Sequence, residues 1–301
     1  MNLTPWILAA RPKTLGAAIA PVLVGSVLGW KLSGQFSLWL MLATLGSCMC
    51  LQIATNFFND AIDSLKGSDT KERLGPVRIT ASGMMPAKTV LWVAVGVLGL
   101  AALLSVPLFI SRGWPIIAIG LPSLWFCYGY TGGPMPLAYR GLGELFVILF
   151  FGLIAVTGSA FVQSGQWHFA AVIAGLQIGV LSTVLIAINN LRDIEEDAKS
   201  GKRTLAVRFG KKFARQEITV LGFLGTFLWF YWFMMVSGLG DRQSGFVIAF
   251  VGLVLTALLS AKVTSKVRHT EPSPAYNNYL AMAGGNLLLT SITLVLVFLI
   301  A

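Results

Sequence analysis

Charge is scarce in this 301-residue chain. Asp, Glu, Lys and Arg make up 11% of it, against about 25% in an ordinary soluble domain. With 56% hydrophobic residues and a mean hydropathy of +0.78, that scarcity excludes a soluble globular protein. Cysteine is also rare. Cys48, Cys50 and Cys127 lie in or near the ends of apolar runs without CxxC or Cys/His spacing, which excludes a metal site of that kind and leaves them as small apolar residues. His168 and His269 are isolated and are assigned no chemistry. There is no low-complexity tail and no Pro-rich linker, so residues 1–301 read as a single membrane domain. Basic residues precede the first apolar run, as in a signal peptide. No A-x-A-like site follows, and eight more runs come after, so this run reads as an uncleaved first span.

What the chain has in abundance is long apolar runs. They predict an all-α polytopic bundle with nine spans, at roughly 15–32, 37–58, 89–111, 114–131, 143–163, 169–190, 217–237, 244–262 and 279–300. A net charge of +10 suggests nucleic acid, but its distribution argues for topology instead. With the N-terminus in the cytoplasm, 19 of the 22 basic residues fall on the cytoplasmic side, leaving only Lys31, Arg112 and Arg242 outside. The reading is therefore a multi-pass protein of the bacterial inner membrane, its C-terminus periplasmic and its partner the lipid bilayer.

Acid is the rarest charge, with only 12 Asp and Glu in all, and seven of them lie in or beside two clusters. The first runs from Asn56 to Asp63 and ends the second span; the second runs from Asn189 to Asp197 and ends the sixth. On a helix, Asn56, Asn59, Asp60 and Asp63 share one stripe, and Asn190, Asp193 and Asp197 repeat that spacing. Four spans separate the clusters, a weak internal repeat that sets both at one depth. Ionisable groups at membrane depth are expensive and mark function. Glu195 and Glu196 lie off the stripe and read as solvated; Asp69 and Glu72, in a loop of mixed charge, read as surface.

Paired carboxylates suggest a divalent ion, and such an ion suggests phosphate. Mg²⁺ takes oxygen ligands and is held by one or two carboxylates plus substrate phosphates. Asp60 and Asp63, with Asn59, can hold one ion, and Asp193 and Asp197 a second. Two ions on a diphosphate make it a good leaving group, which makes Asp60, Asp63, Asp193 and Asp197 the candidate catalytic residues. Arg78, Lys202 and Arg203, in Gly-bearing basic loops, are placed to contact the remaining oxygens. A secondary transporter also sets carboxylates at helix breaks, but near the midplane and not at span ends. A non-catalytic scaffold leaves the two matched stripes unexplained.

The motifs Asn59-Asp60-x-x-Asp63 and Asp193-x-x-x-Asp197, with nine spans and Arg11-Pro12-Lys13-Thr14-Leu15 near the start, resemble the intramembrane aromatic prenyltransferase superfamily. Residues 59–69, Gly75-Pro76-Val77-Arg78, Tyr130-Thr131-Gly132-Gly133-Pro134, 189–207 and Tyr276-Asn277-Asn278-Tyr279-Leu280 look like its naphthoate-prenylating branch of menaquinone synthesis. The superfamily's first motif commonly ends in a further Asp; here Gly67 stands there, and Asp69 follows two residues later, outside the metal set. The resemblance implies a bundle around a cytoplasm-facing cavity, Mg²⁺ dependence and a polyprenyl diphosphate donor. It also implies 1,4-dihydroxy-2-naphthoate as acceptor, prenylated with loss of CO₂ and diphosphate to give demethylmenaquinol. The alternative acceptor within the superfamily is 4-hydroxybenzoate. On the same basis Lys13 joins the diphosphate-binding residues, and Asn56, Tyr130 and Asn190 are the candidates for holding substrate.

Overall fold

The computed structural model describes residues 3–68, 74–236 and 242–300; Asp69 and Glu72 lie outside them. The described residues form helices α1 (Thr4–Ala10), α2 (Pro12–Ser33), α3 (Leu38–Leu65), α4 (Ala87–Arg112), α5 (Trp114–Gly129), α6 (Gly143–Ser164), α7 (Phe169–Arg192), α8 (Ile194–Lys199), α9 (Leu205–Val236), α10 (Arg242–His269) and α11 (Tyr276–Ile300). Eight of these are long and apolar enough to cross a membrane, and the shorter, 16-residue apolar α5 falls where the ninth span is expected. Local signals set their ends. Pro12 opens α2, the Ser37 hydroxyl accepts from Leu40 N–H at the start of α3, and left-handed Gly34 and Gly165 close α2 and α6.

Three boundaries differ most from the sequence expectation, one being the end of α10, which runs seven residues past 262 to His269. α3 continues seven residues past the expected end at 58, because its polar stripe is buried among other polar groups and has no need to leave the helix. α9 begins at Leu205, not near 217, and turns at Gly210 (φ 83°). Its charged first stretch still has one apolar side, with Ala206, Ala214 and Ile218 buried.

In lipid, apolar surface gives little drive for helix pairing, and close backbone approach at small residues takes its place. α2 packs on α3, α6 and α11, while α7 packs on α6, α9 and α11. A Cβ added at Gly25 would stand 2.3 Å from the Val156 carbonyl oxygen, and one at Gly29 2.5 Å from that of Ala160. At Gly152 it would lie 2.4 Å from the Gly175 oxygen. Gly152 belongs to a π-helical stretch, Ile148–Ile154, inside α6. Buried indoles are satisfied: Trp229 Nε1–H donates to Thr256 at 2.9 Å and Trp232 Nε1–H to Gln177 at 2.7 Å. At the end of the bundle away from the acidic clusters, Arg112 donates to the Val162 and Gln163 carbonyls at 2.7 and 2.8 Å. That bond pair explains a basic residue on the sparsely charged side.

Between α2, α3, α4, α5 and α6 lies an apolar cavity with about 980 Å³ of empty space including its open mouth. Along α3 its lining runs from Thr44 to Thr55, one residue short of the first acidic stripe.

Candidate active site

The two acidic clusters meet across one lysine. Lys202 Nζ donates to Asp63 Oδ2 at 2.9 Å and stands 4.0 Å from Asp197 Oδ1. Positions 134 residues apart in sequence, 63 and 197, thus meet at one centre. Asp63 is 3% exposed. Its Oδ1 accepts the Tyr139 hydroxyl at 2.8 Å, and Arg78 Nη2 lies 3.6 Å from Oδ2. Tyr139 stacks under positive charge, with Lys66 Nζ 4.1 Å and Lys202 Nζ 5.2 Å from its ring centre. Its hydroxyl also meets Ser68 Oγ at 2.7 Å. Lys66 donates to the Thr131 carbonyl at 2.7 Å. Burial pulls its ammonium below the ordinary lysine range; Asp63 opposes that shift and Lys202 adds to it.

The other expected ligands are engaged elsewhere. Asp60, 1% exposed, turns from the stripe to the segment after the first basic loop. It accepts the N–H groups of Ile79 and Thr80 at 3.1 and 3.0 Å, and the Thr80 hydroxyl as well. Its carboxylate therefore closes a loop over α3. Asn59 Oδ1 accepts the Thr131 hydroxyl. Asp193 is gripped by its neighbour, with Arg192 Nε and Nη2 each 2.7 Å from its two oxygens. It also interrupts the expected stripe: α7 ends at Arg192, Asp193 takes φ −94° and ψ 12°, and α8 carries Asp197. Among the described residues, no three His, Cys, Asp or Glu side chains gather closely enough to hold a metal alone. The pair that does face a common centre is Asp63 and Asp197.

Of the expected diphosphate contacts, Arg78 and Lys202 reach that centre. Arg203 and Lys13 are exposed; Arg203 joins through its backbone N–H, which donates to the Tyr139 carbonyl at 3.1 Å. Among the expected substrate contacts, Asn56 pins the start of α2, donating to the Ala10 carbonyl at 2.9 Å and to Thr14 Oγ1 at 3.1 Å. Asn190 donates to Glu144 Oε1 at 2.6 Å. Tyr130 contacts the Phe146 ring at 5.5 Å; Phe146 stacks on Phe150 at 4.3 Å, and both phenylalanines line the cavity. An aromatic path thus leads from beside the acidic centre into the apolar space. Tyr139, Lys66 and Glu144 were not singled out from the sequence. Tyr139, an aromatic beside Arg140 in a short basic-side loop, carried a usable signal.

The model of the UbiA prenyltransferase family matches residues 18–299. A Bacillus subtilis 1,4-dihydroxy-2-naphthoate octaprenyltransferase is 40% identical over 222 residues, covering 73% of this chain and 70% of its own. An Escherichia coli protein of the same name is 33% identical over 261 residues, 81% of this chain and 84% of its own. The structure of a UbiA homologue from Archaeoglobus fulgidus bound to GPP and Mg²⁺ superposes with a TM-score of 0.69, covering 97% of this chain and 99% of that one at 15% identity.

Proposed function

The chain belongs to the UbiA prenyltransferase family, and we propose that it transfers a polyprenyl group from polyprenyl diphosphate to 1,4-dihydroxy-2-naphthoate, releasing CO₂ and diphosphate and giving demethylmenaquinol. Relatives at 33–40% identity are named 1,4-dihydroxy-2-naphthoate octaprenyltransferase, which supports the acceptor and the prenyl transfer. The observation that carries the reading is the meeting of Asp63 and Asp197 across Lys202, beside an aromatic path into a large apolar cavity.

Asp63 and Asp197 fit a hard divalent cation. They offer oxygen donors to one centre, and the Lys202 ammonium already shows that positive charge is favoured there. Asp63 and Asp197 would hold Mg²⁺ together with substrate oxygens, Asp193 standing one helical turn before Asp197. When bound, Mg²⁺ neutralises the charge that builds on the departing diphosphate. The remaining work belongs to the chain. Arg78 and Lys202 would turn from Asp63 to phosphate oxygens, and Tyr139 would hold the Asp63 carboxylate in place. The cavity between α2 and α6 would take the polyprenyl chain, whose apolar length suits an apolar lining. Phe146, Phe150 and Tyr130 would face the allylic carbon, where aromatic rings stabilise developing positive charge and exclude water.

Orientation follows the same reading: the basic end lies in the cytoplasm, with the N-terminus cytoplasmic and the C-terminus periplasmic in a bacterial inner membrane. The test is direct. Purified protein given a polyprenyl diphosphate and 1,4-dihydroxy-2-naphthoate, with and without Mg²⁺, should form a Mg²⁺-dependent lipid product lacking the carboxylate, read by mass spectrometry. Selective use of 4-hydroxybenzoate, with the carboxylate kept, would overturn the acceptor.

A further inference from the structure

Glu144 is the second residue of α6 and is 4% exposed. One of its carboxylate oxygens is used: Oε1 accepts Asn190 Nδ2–H at 2.6 Å. The other, Oε2, is buried with no hydrogen-bond partner. Burying an oxygen that carries charge costs free energy unless something donates to it. A first-turn acid is favoured by the helix dipole, and the Asn190 bond ties α6 to α7. Those two structural roles account for Oε1 and leave Oε2 idle.

The surroundings of Glu144 belong to the proposed reaction. Asn190 lies one turn before Asp193 on α7. The Tyr130 hydroxyl crowds the neighbouring residue, 3.0 Å from where a Cβ on Gly143 would stand. The next residue, Thr131, offers its carbonyl to Lys66, whose ammonium lies over the Tyr139 ring that holds Asp63, so Tyr130 stands between α6 and the acidic centre. Two residues along the same helix, Phe146 lines the apolar cavity.

We infer that Glu144 Oε2 receives the ring hydroxyl of the aromatic acceptor, making Glu144 a catalytic residue that also orients the ring. This rests on the acceptor reading given above. An idle buried acceptor oxygen calls for a neutral donor, and a phenolic hydroxyl is one. The same carboxylate repels the acceptor's own carboxylate, which turns that group away from α6. The ring then presents its carboxylate-bearing carbon, next to the hydroxylated one, in one orientation.

The chemistry balances. As the ring attacks, the allylic C–O bond of the donor breaks and its electron pair leaves on diphosphate. A ring π pair forms the new C–C bond, and the adjacent hydroxyl becomes a ketone as its proton passes to Glu144 Oε2. The attacked carbon now carries a carboxylate next to a ketone. Loss of CO₂ returns the C–C pair to the ring, and the proton returns from Glu144 to oxygen. Glu144 ends as it began, and no oxidant or reductant is consumed.

The experiment compares binding of 1-hydroxy-2-naphthoate and 2-naphthoate to the full-length wild type, Glu144→Gln and Glu144→Ala, in detergent, by calorimetry. A non-hydrolysable prenyl thiodiphosphate, titrated with Mg²⁺, reports an intact donor site. The wild type should prefer the hydroxylated ring by about tenfold or more, the factor expected of a charge-assisted bond. Both variants should lose most of that preference, keep donor affinity within about twofold, and turn over 1,4-dihydroxy-2-naphthoate at least about a hundredfold more slowly. Glu144→Gln is nearly isosteric and answers the question even if Glu144→Ala does not fold. A hydroxyl preference that survives in the variants would overturn the assignment of Glu144. A wild type that makes no decarboxylated product would instead overturn the acceptor reading, independently of the binding result.

Discussion

Lys202 Nζ lies 2.9 Å from Asp63 Oδ2, so a residue from the second basic loop holds an aspartate of the first acidic motif. The lysine competes with any cation for that oxygen. Removing it as Lys202→Met should tighten binding of Mg²⁺ alone by about tenfold, since a charge-assisted bond of about 1.5–3 kcal/mol no longer has to break. The same change should slow prenyl transfer at least about tenfold, because diphosphate loses a partner. Calorimetric titration with Mg²⁺ in the absence of diphosphate checks the first half. Unchanged or weaker metal binding would show that Lys202 does not guard Asp63.

Asp60 and Asp63, one turn apart, should fail in different ways. Asp60 accepts the Ile79 and Thr80 N–H groups, so Asp60→Asn turns an acceptor into a partial donor and should cost about 1–3 kcal/mol of stability. Asp63→Asn takes its charge away from Lys202 and Arg78, so it should lower melting too and, unlike Asp60→Asn, cut turnover by orders of magnitude. Thermal melts in detergent beside rate measurements separate the two. Equal melting temperatures for wild type and Asp60→Asn would remove its loop-closing role.

Close helix approach gives a packing test. Gly152→Ala would drive a methyl to 2.4 Å from the Gly175 oxygen, and overpacking of this kind costs about 1–3 kcal/mol. Gly99→Ala, in α4 with nothing within 4 Å of the new methyl, should be neutral or slightly stabilising. A melting temperature for Gly152→Ala equal to the wild type's would contradict the tight α6–α7 contact.

Glu271, in the turn between α10 and α11, offers a pH test. Hydrogen bonds from Arg215 at 2.8 Å and Lys211 at 3.0 Å, in that order of weight, hold its carboxyl below the usual carboxylate range. A depressed carboxyl adds stability above its unfolded pKa and loses it as pH falls through the folded one. Wild type should therefore melt slightly above Glu271→Gln at neutral pH, with the gap closing below the ordinary carboxylate range. Because the pair is exposed, added salt should narrow the gap as well. A gap independent of both pH and salt would mean that the ion pairs contribute nothing.

Much of this was legible in the chain. Apolar runs locate the spans because lipid demands length and low charge, and the two acidic stripes stand out where acid is rare. The stripe itself misleads at finer scale. Asn59, Asp60 and Asp63 share a helix face by spacing, yet a few tens of degrees of rotation give them three different neighbours: Thr131, the 79–80 backbone and Lys202. Periodicity carries no information about which neighbour fills each direction. The charged start of α9 reads as loop because charge usually means water; its buried side appears only once α7 is beside it. Glu144, a single acid at the edge of a span, carries no signal until Asn190 is brought to it from 46 residues away.

One helix sets a mechanical condition on the whole bundle. At 16 residues α5 rises about 24 Å, while a bilayer's hydrocarbon core is about 30 Å thick. If α5 spans, lipid beside it has to thin or pucker to meet its ends, at a cost that grows with each ångström of mismatch. α5 is also a wall of the cavity, contributing Ile119 and Cys127 to its lining. Thickening of the surrounding membrane would then bear on this wall first, and membrane thickness would become a force acting on the apolar cavity itself.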